Sequence, residues 1–144
     1  MYSVLLAAID GSPRSRGIFS AALQIANRFD ARVHLYRAVS LPADFPAAAH
    51  MPPDLLPAFL ENEACEFLAT LAGDQLRVHC EPPELTTVQP WRAIIAFAAK
   101  IRADLIVIGS HGHSGWDRVL GTNASKVVDH ADRNVLVVHE REQA

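Results

Sequence analysis

Five short apolar runs alternate with segments of helical periodicity along this chain, and that alternation restricts its fold more than any other feature. "SVLLAAI" (Ser3 to Ile9) is continuous and apolar, the pattern of a strand buried on both faces. "ARVHLYRAV" (Ala31 to Val39), "LRVHCE" (Leu76 to Glu81), "DLIVIGS" (Asp104 to Ser110) and "NVLVVH" (Asn134 to His139) read as four further strands. Between the first two, "SRGIFSAALQIANRF" sets Ile18, Ala21, Ala22, Ile25, Ala26 and Phe29 at three- and four-residue spacing, so one helical face is apolar. A second helix is expected from about Asp54, with Leu60, Ala64, Phe67, Leu68 and Leu71 along one side and Gly73 as its stop. "WRAIIAFAAKIRA" (Trp91 to Ala103) and "NASKVVDHA" (Asn123 to Ala131) predict two more helices. Two stretches break the pattern: Ser40 to Pro57, with five prolines and no sustained period, and "PPELTTVQP" after the third strand.

Strands separated by helices of this length join through right-handed parallel crossovers. The expectation is therefore a doubly wound α/β domain, a parallel sheet of five strands flanked by about four helices. With 144 residues the chain suffices for one core, so residues 1–144 are read as a single domain. Ligands of such sheets sit outside the carboxyl ends of the strands, where the chain order reverses. That directs attention to Asp10 to Ser12, Ala38 to Ser40, and Gly109 onward.

Several function classes drop out on composition. No apolar run approaches the ~20 residues of a membrane span. The first apolar run has no basic residue before it and Asp10 directly after it, unlike a secretion signal, which points to the cytoplasm. Cys65 and Cys80 are too few for a disulfide framework and lack metal-binding spacing. A net charge of -3 with no run of Lys or Arg offers no face to nucleic acid, so any anion must be held by local donors.

The stretch "IGSHGHSGWDRVLGTNAS" (Ile108 to Ser125) carries the strongest chemical signal. Gly109, Gly112, Gly115 and Gly121 let backbone amides approach a ligand closely, and Thr122 and Ser125 add hydroxyls at a helix start. A glycine-rich loop between a strand and a helix N-terminus is a phosphate cradle in form. His111 and His113 are spaced poorly for a metal, with Asp117 the nearest acid, and His34, His79 and His139 fall in strand patterns where a structural histidine is the default. No G-x-S-x-G elbow, Walker loop or G-x-G-x-x-G is present, and a phosphoacceptor domain would need an Asp and a Lys where Glu81 and His139-Glu140 stand. Asp10, closing the first strand, suits a ribose contact, a metal ion carried by phosphate, or an Asx turn.

These pieces together resemble the universal stress protein family, through "VLLAAIDGSPRSR", "ARVHLYRAV" and "ADLIVIGSHGHSGWDRVLGTNASKVVDHADRNVLVV". Nucleotide-binding members of that family carry G-x2-G-x9-G-(S/T) in the last stretch; here eight residues separate Gly112 from Gly121-Thr122. The resemblance implies a Rossmann-like, adenine-nucleotide α-hydrolase-like fold and a site for ATP, ADP or AMP. It places Asp10 on the ribose or a phosphate-bound Mg ion, and Ala38 against adenine through its backbone. Gly109 and Gly112 would flank ribose and phosphates, with Gly121, Thr122 and Asn123 on the phosphates. Ser12, Ser15 and Arg118 stand near enough in sequence to add phosphate donors. The resemblance further implies a homodimer formed through the last strand, Asn134 to His139, and a sensor or regulator in the stress response. With no dedicated water-activating base in view, hydrolysis of ATP would be slow at most. The competing readings are a nucleotide-free interaction module of the same fold, and an enzyme of the wider α-hydrolase group that activates a second substrate.

Overall fold

The computed structural model describes residues 1–40, 56–86, 89–110 and 120–139. In chain order the elements are β1 (Val4–Ala8), α1 (Ser15–Phe29), β2 (Arg32–Tyr36), β3 (Ala38–Ser40), α2 (Leu56–Ala72) and β4 (Val78–Cys80). They continue with β5 (Glu84–Thr86), α3 (Pro90–Lys100), β6 (Leu105–Gly109), α4 (Thr122–His130) and β7 (Asn134–Val138). The main sheet has five parallel strands in the order β4-β2-β1-β6-β7. β1 is central, and chain order reverses between it and β6.

The continuous apolar run of β1 is explained by helices on both faces. Leu5, Ala7 and Ile9 join a core with Ile18, Ala22 and Ala26 of α1 and Leu68 of α2. Leu6 and Ala8 point the other way, into a core with Trp91, Ile94 and Ala98 of α3 and Ala124 and Val127 of α4. Period-two alternation of a strand thus feeds two separate layers, and Leu5, Leu6 and Ala7 are all fully buried. Gly73 ends α2 with φ +58, a backbone state that glycine enters without steric cost.

The chain departs from the expected strands in two linked places. The predicted second strand, Ala31 to Val39, divides at Arg37, and β3 leaves the main sheet to pair in parallel with β5, Ala38 opposite Glu84. The cause is a change of partner. The amide of Ile9 makes its bond to the Tyr36 carbonyl at 2.9 Å, and then the chain turns away, leaving the next segment without a neighbour on that side. β5 supplies one, its Glu84 amide donating to the Arg37 carbonyl at 3.0 Å. β5 lies inside "PPELTTVQP", where adjacent prolines and a length of three residues hide a strand from any periodicity argument. Tyr36 fastens the junction: its ring stacks on Phe97 at 4.4 Å and its hydroxyl donates to Glu84 at 2.5 Å. Burial first, and then the Glu84 carboxylate, push the phenol well above its ordinary range, so it remains a neutral donor.

The opposite, amino-terminal end of the sheet is stapled by charged side chains. Asp104 accepts from the amides of Ser3 and Val4 at 2.7 and 2.9 Å, which seats the start of β1 beside β6. Arg133 donates to the carbonyls of Ala98 and Ala103 at 2.9 and 3.0 Å, closing the end of α3. The bonds from Ser3 and Val4 hold the Asp104 carboxyl below the usual carboxylate range. A group whose pKa is lower folded than unfolded stabilises the fold above its unfolded value and loses that effect as pH falls through the folded one. The stability gap between the native chain and Asp104→Ala should therefore be open at pH 7 and close below about pH 4. Urea unfolding of both proteins across that range checks it; a gap independent of pH would refute the assignment.

Candidate functional site

The crevice at the carboxyl ends of β1 and β6 is where the chain order reverses. The register that pairs Ala8 with Ile108 brings Asp10, leaving β1, level with Ser110, leaving β6. Asp10 starts a tight turn: its Oδ1 accepts from the Ser12 amide at 2.9 Å and from the Ser15 hydroxyl at 3.2 Å. Ser12 in turn accepts from the Arg14 amide at 3.2 Å. Burial acts to raise the Asp10 carboxyl, but the bonds from Ser12 and Ser15 outweigh it and hold the group below its ordinary value. Asp10 is thus an ionised acceptor at neutral pH, with lone pairs beyond those its turn consumes. Ser15 is fully buried and serves that carboxylate, while Ser12 lies nearer the surface.

Gly11 takes φ +80, and a Cβ there would lie 2.6 Å from the Arg37 guanidinium. Arg37 also places its guanidinium 5.7 Å from the centre of the Phe67 ring, a cation over an aromatic face that ties the turn to α2. Sequence reasoning passed over Arg37. The available signal was a cation at the end of the second strand facing a glycine in the first turn. A Gly11→Val replacement meets both the backbone penalty and the guanidinium. It should cost about 2 kcal/mol of stability, measurable by denaturant unfolding. A neutral result would mean that the turn relaxes freely.

On the other side of the crevice, Gly109 is the last residue of β6, and a Cβ on it would approach Ile18 Cδ1 to 2.9 Å. A side chain at this position would press on the end of Ile18, which would have to shift to admit it. Ser110 is buried; its amide donates to Val138 at 3.0 Å and its carbonyl accepts from the Gly121 amide at 2.8 Å. Ser110 and Gly121 are thereby neighbours. Gly112, Gly115, Arg118 and the two histidines His111 and His113 lie outside the described residues, as does most of Ser40 to Pro57.

Gly121 caps α4 with φ -59 and ψ 157, and its carbonyl accepts from the Ser125 amide at 2.8 Å. Among the described residues no side chain caps the helix, and Thr122 and Asn123 stand exposed in its first turn. First-turn amides have no partner within a helix and carry the positive end of its dipole, so they suit an anion. Gly121 is different: its amide is already spent on Ser110. Ala38 falls at the first position of β3, partly buried against the α3 side, rather than at the end of β2. Among the described residues no three His, Cys, Asp or Glu side chains converge as ready metal ligands, and no helix is long and apolar enough to cross a membrane.

Fold and crevice together define a doubly wound α/β domain whose switch point gathers the Asp10 turn after β1 and, through the Ser110 to Gly121 bond, the start of α4. A family model described as the universal stress protein family matches residues 1–139. Universal stress protein A homolog 1 of Coxiella burnetii is 31% identical over 143 residues, spanning 98% of this chain and 99% of that protein. Among solved structures, UspA from Lactobacillus plantarum superposes with a TM-score of 0.69 at 26% identity, covering 95% of this chain and 97% of that one. A universal stress protein in complex with cAMP superposes with a TM-score of 0.63 at 25% identity, covering 96% and 97%. The chain belongs to the universal stress protein family.

Proposed function

We propose that this universal stress protein binds an adenine nucleotide in the crevice between β1 and β6, and acts as a dimeric sensor or regulator in the cytoplasmic stress response. The observation that carries the proposal is the Ser110 to Gly121 hydrogen bond of 2.8 Å. It draws Gly121 to the end of β6 and so sets the start of α4 at the switch point where Asp10 leaves β1. The relative solved with cAMP supports a nucleotide as occupant.

In this reading the Asp10 carboxylate accepts from a ribose hydroxyl or holds a Mg ion brought by the phosphates, with Ser15 orienting it from below. Ala38 meets adenine through its backbone, and Gly109 and Gly112 flank the ribose and phosphates. The amides of Thr122 and Asn123 receive the phosphates, Gly121 sets the direction of that first turn, and Ser12 and Arg118 add donors at its rim. Hydrolysis of ATP in this reading is slow at most. The edge position of β7 in the sheet, with Val135 to Val138 only partly buried, supports pairing of two copies there.

The test is direct. The purified protein is denatured and its released small molecules identified by mass spectrometry; the emptied protein is then titrated calorimetrically with Mg-ATP, ADP, AMP and cAMP. An adenine nucleotide released, or bound stoichiometrically, is the expected result. Neither release nor heat with any of the four would end this reading in favour of an interaction module of the same fold.

A further inference from the structure

The edge of the sheet away from β7 carries a second cluster of chemistry. β4 pairs with β2 in the register Val33 to Val78, His34 to His79 and Leu35 to Cys80, so the two histidines are direct cross-strand neighbours on one face. Their imidazoles stack, with ring centres 5.3 Å apart and planes inclined by 27°. The ladder continues one residue past β4, the Glu81 amide donating to the Leu35 carbonyl at 2.9 Å. Glu81 is thereby returned to the same face as His79, and its Oε1 stands 2.5 Å from Nδ1 of His34.

The geometry points to a divalent transition-metal site at this edge, with His34 and His79 as imidazole ligands and Glu81 orienting His34. The carboxylate at Nδ1 selects the tautomer in which Nε2 of His34 carries the lone pair, which is the arrangement that metal-binding histidines use. His79 is exposed and lays its ring against that of His34 from the neighbouring strand. Parallel strands lie about 4.8 Å apart. Two imidazoles rooted at that spacing can tilt their tips together onto one ion at metal–nitrogen distances of about 2.0–2.1 Å. Two protein nitrogens with solvent completing the shell are a ligand set for Zn²⁺, Ni²⁺ or Cu²⁺ rather than for Mg²⁺ or Ca²⁺, which prefer oxygen. With only two direct ligands the site falls short of the three convergent side chains of a ready-made centre. The bound ion would clamp β4, the short edge strand, onto β2.

Zinc chloride alone is the probe, and the readouts are calorimetry and the unfolding temperature of the full chain. The native protein should take up one equivalent of zinc at this edge and unfold at a higher temperature with it. His79→Ala, which alters an exposed side chain, should keep the metal-free unfolding temperature and lose both effects. A His111→Ala, His113→Ala double variant should retain them, and Glu81→Gln should bind roughly tenfold more weakly. No uptake by the native protein, or uptake and stabilisation that survive His79→Ala, would overturn the proposal and leave the two rings as a packing contact.

Discussion

Gly121→Val is expected to weaken adenine-nucleotide binding by about 100-fold or more, equivalent to about 2.7 kcal/mol, while the protein still folds. The backbone at Gly121, φ -59 and ψ 157, lies in the extended region that a β-branched residue adopts readily. The bond from its amide to the Ser110 carbonyl is likewise compatible with a valine. What changes is the buried space directly before the first turn of α4, where an isopropyl group would stand between an incoming phosphate and the amides of Thr122 and Asn123. Calorimetry with Mg-ATP measures the loss, and thermal unfolding without ligand shows that the fold persists. Undiminished affinity in a folded variant would move the anion away from this helix start, even if the protein still bound nucleotide elsewhere.

Leu5→Ala should lower the unfolding free energy by about 3 kcal/mol, and the midpoint of thermal unfolding by roughly 6–12 °C for a domain of this size. Leu5 is fully buried in the central strand, in one cluster with Ile18, Ala22, Ala26, Val33, Leu35 and Val107. The facing helix contributes short residues at Ala22 and Ala26, which cannot extend into the vacated space. Val33 and Val107 are fixed by strand ladders on either side. A cavity that cannot collapse costs the contacts of its lining in addition to the lost transfer free energy. A loss below about 1 kcal/mol in urea unfolding would show that the layer repacks after all.

The elements whose partners are uniform along their length were legible in the residues. β1 and β6 announce themselves by unbroken apolar runs because both faces are covered, and α1 by a stripe with one face on the sheet. The break at Arg37 and the strand Glu84–Thr86 were not, because each exists only through the other: three residues pair with three residues more than forty positions away. Within the site the same division holds. The acid ending the first strand and the glycine-rich return after the fourth predicted strand are visible in composition and order. That Gly109 lies against the end of Ile18, that Ser15 is buried beneath Asp10, and that the Gly121 amide is consumed by Ser110 depend on distances between segments that no local pattern encodes.

The sequence by itself determined the layered parallel architecture, the family, and the two chain segments that face each other at the switch point, since apolar periodicity and turn chemistry are local properties. Only the tertiary structure decided that the Gly121 amide is already paired in that crevice, where the second strand changes sheets, and that His34, His79 and Glu81 meet at an edge. Those outcomes are set by strand register and by competition for hydrogen-bond partners, which are settled when distant segments pack.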